Sequence, residues 1–376
     1  MSLELPPPAE AVAVAVLVHG PVSRSQLAKQ LGLSPPTITR LVRPLITAGV
    51  LVESDAVRTP GRGRASLPLD VVADAYRFVG VKLTTESIYA VTTDLRARVL
   101  DSETIAEPSL DVPDVVAAVV ELVTRLQDRS GRPADAIGVT VGGVVDDGET
   151  VVDSPFLHWH EVPFRSLLAV KLDSPVFLAN DVVGLTMAQQ WFGHGREYSD
   201  FALLTVGAGV GYGLVINDQL VPTTVSPVSH LPIDPHGPLC PAGHRGCMTA
   251  YVTAGAMTAA AALAYREPVT YAQLLQRAED ADPVAVRVVD DAAHALGRAV
   301  AAVTALTGVE RIILTGEGVR LAELGRRALR AARLEYGGRG EREDPVIRQM
   351  DFLEWARGAA VVALRTTFPD PPRICP

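Results

Sequence analysis

The chain has little of what membrane insertion, export or covalent cross-linking would require. No run approaches the roughly 18 consecutive apolar residues of a membrane-spanning helix. The first residues include Glu4 and the run Pro6-Pro7-Pro8 and lack the basic region of a secretory leader. Cysteine is scarce. Cys240, Cys247 and Cys375 cannot build a disulfide framework, as expected in a reducing cytoplasm. Only 20% of the residues are charged while 48% are hydrophobic, so buried cores are expected and broad disorder is not. At 376 residues the chain exceeds one ordinary core, and roughly two to three structural units are expected.

The net charge of −9 is unevenly spread. Through Ser66 the chain carries seven basic and four acidic residues, net +3; the remainder carries 27 and 39, net −12. A basic head on an acidic body fits nucleic-acid contact confined to the head, although an ordinary solvated face has the same composition.

Within that head, three short helical patterns follow one another. The first runs from Ala9 to His19, with Val12, Val16 and Leu17 apolar. Ser23 is a good N-cap for a second helix ending at Leu31, and Gly32-Leu33-Ser34 is a tight turn. Ser34 then caps a third helix with Pro35 and Pro36 in its first turn. Ile38, Leu41, Val42 and Leu45 share one face of this helix, leaving Thr37, Thr39, Arg40 and Arg43 largely off that stripe. The order resembles a helix-turn-helix, whose second helix docks in the DNA major groove. Gly49 ends the helix, Val50–Glu53 reads as a strand, and an Arg-bearing loop precedes Leu67-Pro68-Leu69, which completes a wing. Pro60-Gly61-Arg62-Gly63-Arg64 within that loop suits a narrow minor groove, where Arg62 and Arg64 would meet enhanced negative potential. A flexible, soluble linker reads the same way.

From Tyr76 the pattern changes to strands at Phe78–Leu83, Ser87–Thr92 and Ala97–Leu100, a helix at Asp114–Ser130, and a buried strand from Ala136 to Val145. A mixed sheet covered by helices is expected. Ala-rich helical runs at Tyr251–Ala264 and Pro283–Leu306 are read as core or dimer-face helices.

Several segments, in order, resemble the ROK family of repressors and sugar kinases. These are Val79–Glu86 at the first phosphate loop, Ser154–Trp159, Asn180-Asp181 at the catalytic base, and Leu204–Gly213 at the second phosphate loop. His230, Cys240 and Cys247 fall in the zinc segment, and Ile312–Val319 resembles the adenosine-side motif. The resemblance implies an α/β fold: a winged helix-turn-helix head (1–70) followed by a two-lobed actin/hexokinase-like (ribonuclease H-like) ATPase fold (71–185 and 186–376).

Against the family pattern, the kinase chemistry is damaged. Lys82 stands where the first loop has Asp, Thr84 and Thr85 replace glycines, and Glu86 replaces Thr. Branched side chains obstruct the close backbone approach that phosphate requires, so this loop is not expected to hold ATP. The glycines of the second loop (Gly207, Gly209, Gly211, Gly213) are read as fold glycines, with residual nucleotide binding as the alternative. Asp181 is retained as a possible base, so an ATP-dependent sugar kinase stays open as the enzyme alternative. The expected function is instead a non-enzymatic DNA-binding regulator, a repressor of sugar-related genes acting as a homodimer or dimer of dimers on operator DNA. A scaffold without any ligand is the third reading.

For an effector, the resemblance carries over Asn180, Asp181 and His230. Pro227, Thr249 and Phe156 stand where the family has two Glu and an Asn, which points to an altered or lost ligand rather than glucose. For zinc, the resemblance implies His230, Cys240 and Cys247. Ala242 replaces the middle cysteine, so His244 or a water would supply the fourth ligand of a structural site. A metal-free turn with two thiols is the alternative.

Overall fold

The computed structural model describes residues 6–54, 67–222, 228–337 and 343–369. Contacts divide the chain into two units, residues 1–192 with 353–376, and residues 193–352.

The first unit opens with α1 (Pro7–His19), α2 (Arg24–Leu31) and α3 (Pro35–Thr47). Both serine caps form as expected. Ser23 accepts from the Gln26 amide in a reciprocal capping box, and Ser34 accepts from the Thr37 amide. Gly32 and Gly49 close α2 and α3 at φ of 64° and 72°, backbone that a β-carbon would strain. Strand β1 (Leu51–Glu53) pairs antiparallel with β2 (Leu69–Val71), the hairpin of the wing. Arg62 and Arg64 lie outside the described residues.

Next come β3 (Phe78–Leu83), β4 (Ser87–Thr93), β5 (Val99–Ala106), α4 (Val112–Ser130) and β6 (Ala136–Val141). The expected strand through Val145 breaks after Val141, because Gly142-Gly143 turns the chain at a φ of 143° for Gly143. A small antiparallel sheet follows, β7 (Val144–Asp146), β8 (Thr150–Ser154) and β9 (Trp159–Val162), then α5 (Phe164–Ala169), β10 (Val176–Asn180) and α6 (Asp181–Phe192). Among the described residues the main sheet has the order β10-β6-β3-β4-β5, with β10, β6 and β3 parallel.

Strand alternation sets the two faces of this sheet. Val79, Val81, Ile137 and Val139 share a core with Val115, Val119, Leu122 and Leu126 of α4. On the opposite face, Gly80 and Gly138 sit side by side in register across β3 and β6. A β-carbon on Gly80 would overlap the Ala356 carbonyl, and one on Gly138 the Ala359 carbonyl. The closing helix, Phe352–Thr367, thus lies directly on the sheet through its small residues. That contact is why the carboxy-terminal residues group with the first unit rather than with the second lobe, as the 186–376 boundary would have them.

The core of the head continues beyond residue 70. Val12, Val16, Leu27, Ile38, Val42 and Leu45 belong to one apolar cluster with Phe78, Leu95, Trp191, Ala360 and Leu364. Arg96 reinforces the junction by pairing with Asp70 of β2, and its Nη1 donates to the Leu17 carbonyl at 2.9 Å.

The second unit contains β11 (Phe201–Val206), β12 (Val210–Ile216), β13 (Gln219–Leu220), α7 (Met248–Val252), α8 (Ala254–Tyr265), α9 (Tyr271–Glu279), α10 (Pro283–Thr307), β14 (Ile312–Thr315), α11 (Arg320–Leu324), α12 (Arg326–Gly337) and β15 (Val346–Ile347). Its sheet runs β13-β12-β11-β14-β15 among the described residues. The expected helix Tyr251–Ala264 is divided because Thr253 leaves the helical path to cap α8, accepting from the Ala256 amide.

Candidate functional site

The face of α3 that seals the head core is Ile38, Val42 and Leu45, all buried. Thr39, Arg40 and Arg43 are exposed, and Thr37 is half-buried. The threonine hydroxyls serve the helix itself: that of Thr37 lies 2.8 Å from the Ser34 hydroxyl, and that of Thr39 donates to the Pro35 carbonyl at 3.0 Å. Arg40 and Arg43 form no ion pair among the described residues, whereas Arg24 of α2 pairs with Glu53 of β1. The head thus presents two guanidinium groups and two threonines on one helix, the chemistry that reads base edges and phosphates.

At the far end of β3 from the head, Lys82 pairs with Asp181. The lysine side chain is 6% exposed and the aspartate 14%. The ammonium lies 5.3 Å from the centre of the Trp355 ring, so an aromatic face covers it as well. Asp181 opens α6 and also accepts from the Val182 amide at 2.9 Å. Asn180 is equally committed. Its amide nitrogen donates to the Gly143 carbonyl at 2.7 Å, and its oxygen accepts from the amides of Val182 and Val183. Phe156 packs near Gly142 beside the Asp181 carboxylate, since a β-carbon on Gly142 would meet its ring at 3.2 Å and Asp181 at 3.3 Å.

The turn between β3 and β4, at the position of the family's first phosphate loop, is pinned at its two ends by Thr84 and Ser87. Thr84 and Ser87 exchange backbone amide and side-chain bonds, with the Thr84 amide donating to the Ser87 carbonyl at 3.0 Å and the Ser87 amide to the Thr84 hydroxyl at 3.0 Å. A base needs a free carboxylate and a phosphate donor needs free amides. Here the carboxylate faces an ammonium and these amides are used. Lys82 departs visibly from the family pattern in the sequence, but its pairing with Asp181 does not show there; the available signal is a cation at the expected Asp position while Asp181 is kept.

In the second unit, His230, Cys240 and His244 form a group whose ligand atoms all lie within 4.8 Å of one another. His230 Nδ1 is 3.8 Å from Cys240 Sγ and 3.6 Å from Cys247 Sγ, and His244 Nδ1 is 3.7 Å from Cys240 Sγ. A tetrahedral zinc with bonds of about 2.0–2.3 Å separates its ligand atoms by roughly 3.3–3.8 Å, so this donor set fits the metal. His244 comes to the cluster although Ala242 does not supply a ligand. Burial, and then His244, lower the basicity of His230. The segment is braced by Tyr251, whose hydroxyl donates to Asp234 at 3.2 Å and whose pKa burial and that carboxylate push up to about 12. Asn180 and Asp181 thus belong to the first unit and His230 to the second; Pro227 lies outside the described residues.

Removing one member of the Lys82–Asp181 pair strands the other in a mostly buried place. Lys82→Met alone is expected to cost on the order of 3 kcal/mol in chemical denaturation. Adding Asp181→Asn should recover most of that loss, because the uncompensated charge is gone. Strictly additive losses would contradict the pairing.

Residues 15–52 match the winged helix-turn-helix DNA-binding family, and residues 78–364 match the ROK family. The chain is similar to the xylose repressor of Bacillus spizizenii, 25% identical over 249 residues, an alignment covering 64% of this chain and 64% of the repressor. It is similar in fold to a ROK family transcriptional regulator described as a homologue of the Escherichia coli Mlc protein, with a TM-score of 0.80 and 22% identity over 97% of this chain and 98% of the other. It also resembles a ROK glucokinase from Streptomyces griseus, solved with glucose and AMPPNP, with a TM-score of 0.66 and 24% identity over 76% of this chain and 99% of the kinase. With well over half of its residues inside the family match, this chain belongs to the ROK family.

Proposed function

We propose that the protein is a DNA-binding transcriptional regulator, a repressor of sugar-related genes, whose kinase-like body performs no phosphoryl transfer. The observation that carries this reading is the exposed Thr39-Arg40 and Arg43 face of α3, built on a winged helix-turn-helix. Thr37, Thr39, Arg40 and Arg43 enter the major groove, and Arg62 and Arg64 reach the minor groove. Support for the repressor reading comes from the resemblance to a xylose repressor and to a ROK regulator. The protein works in the cytoplasm as a two-fold homodimer or dimer of dimers on a palindromic operator. Among the described residues no helix is long and apolar enough to cross a membrane.

The effector is a sugar or sugar derivative. Asn180 and Asp181 are its proposed contacts in the first unit, and His230 is proposed on the family resemblance. With Asn180 and Asp181 bonded within the chain and Phe156 beside them, the favoured ligand makes fewer hydrogen bonds than glucose. Zinc is held by His230, Cys240, His244 and Cys247 and braces its loop without taking part in chemistry. Elemental analysis of the purified chain should find one equivalent of zinc, reduced in His244→Ala; a metal-free wild type would end this assignment.

Selection of bound fragments from the source genome tests the DNA reading. A palindromic consensus is expected. Arg40→Ala or Arg43→Ala should lose specific affinity by about 1–3 kcal/mol where the side chain reads a base. Arg62→Ala with Arg64→Ala should weaken binding to all sequences and flatten its salt dependence. Enrichment of no sequence would refute the proposal.

A further inference from the structure

The second glycine-rich loop is not bare. It follows β11 as Gly207-Ala208-Gly209, and the turn after β14, Gly316-Glu317-Gly318, is locked against it. The Gly318 amide donates to the Val206 carbonyl at 2.9 Å, and Gly316, at φ of 102°, sits so near Val206 that a β-carbon would meet its carbonyl at 2.5 Å. From the other side, the Tyr271 hydroxyl donates to the Gly318 carbonyl at 2.7 Å. Both neighbours of Glu317 are therefore fixed. Its carboxylate accepts the Ala208 amide at 2.9 Å and lies against the Cα of Gly207, where a β-carbon would overlap it.

A carboxylate accepting a backbone amide in a glycine turn does what a phosphate oxygen does in such loops. We propose that Glu317 is the specificity-determining residue that closes this loop to phosphate-bearing ligands, by seating the chain's own anion on the Ala208 amide. Any phosphate entering there would have to displace the carboxylate and tolerate its negative charge. The glycines of the loop then retain a packing duty while their anion seat is filled from within. Tyr271 fits this arrangement: burial, and then the Glu317 carboxylate, hold its hydroxyl in the neutral, donating form.

This inference deepens the non-kinase reading and rests on it, but it is tested without DNA or sugar. Full-length wild type, Glu317→Gly and Glu317→Gln are titrated calorimetrically with ADP and, separately, with inorganic pyrophosphate. Glu317→Gly should bind at least about tenfold more tightly than wild type. Glu317→Gln, which keeps an acceptor but no charge, should fall between them. Gain for both probes assigns the seat to phosphate itself; gain for ADP alone assigns the nucleoside as an added contact, with Glu317 still the barrier. Equal affinity of wild type and Glu317→Gly, bound or unbound, overturns the proposal. Amide hydrogen exchange supplies a readout that survives a misfolded variant: the Ala208 amide should be protected in wild type, and an unprotected amide there overturns the proposal as well. Failure of these tests leaves the DNA reading intact, whereas failure of operator selection leaves the Glu317 contact intact.

Discussion

One face of strand β3 links the head to the dismantled catalytic end. Phe78, Gly80 and Lys82 alternate onto that face. Phe78 joins the apolar cluster of the head, Gly80 receives the backbone of the closing helix, and Lys82 pairs with Asp181 under Trp355. The ion pair is the constraint on which the functional account depends. A buried pair adds little net stability over an apolar substitute, yet losing one partner leaves a charge in poor solvent. Facing Lys82, the Asp181 carboxylate is charge-paired within the fold and is not a free base.

In each unit, polar groups at positions where the family resemblance implies ligand contacts bond within the chain instead. In the first, Asn180 and Asp181 spend their hydrogen bonds on Gly143, Val182, Val183 and Lys82. In the second, Glu317 occupies the Ala208 amide. What remains is a scaffold whose glycines and small helices still pack as a kinase-like fold requires. The head is part of that scaffold. Its core continues into Phe78, Leu95 and Leu364, and Arg96 ties Asp70 and Leu17 to the β4–β5 turn, so α3 packs into the same core as the first sheet.

Much of this was legible in the sequence where local chemistry decides the structure. Ser23 and Ser34 announced two helix starts, Gly32 and Gly49 their ends, and the apolar stripe of α3 left Arg40 and Arg43 outside. The order of the glycine and Asn-Asp segments carried the fold. Long-range partners were not legible. Nothing near Arg96 indicates Asp70, and the paired glycines Gly80 and Gly138 look like ordinary strand interruptions until Ala356 and Ala359 are seen against them. The division of the chain was hidden for the same reason, since the closing helix is remote in sequence from the sheet it covers. His244 is legible beside Cys240 because both lie in one short turn.

Whether the Asp181 carboxylate can act as a base is read out by ATP consumption of the purified full-length chain across a panel of common sugars. With Asp181 held by Lys82 and the Ala208 amide taken by Glu317, no sugar-dependent turnover above background is expected. Robust phosphorylation of a sugar that disappears in Asp181→Asn would contradict the account, because it would require the carboxylate to be free to act as a base.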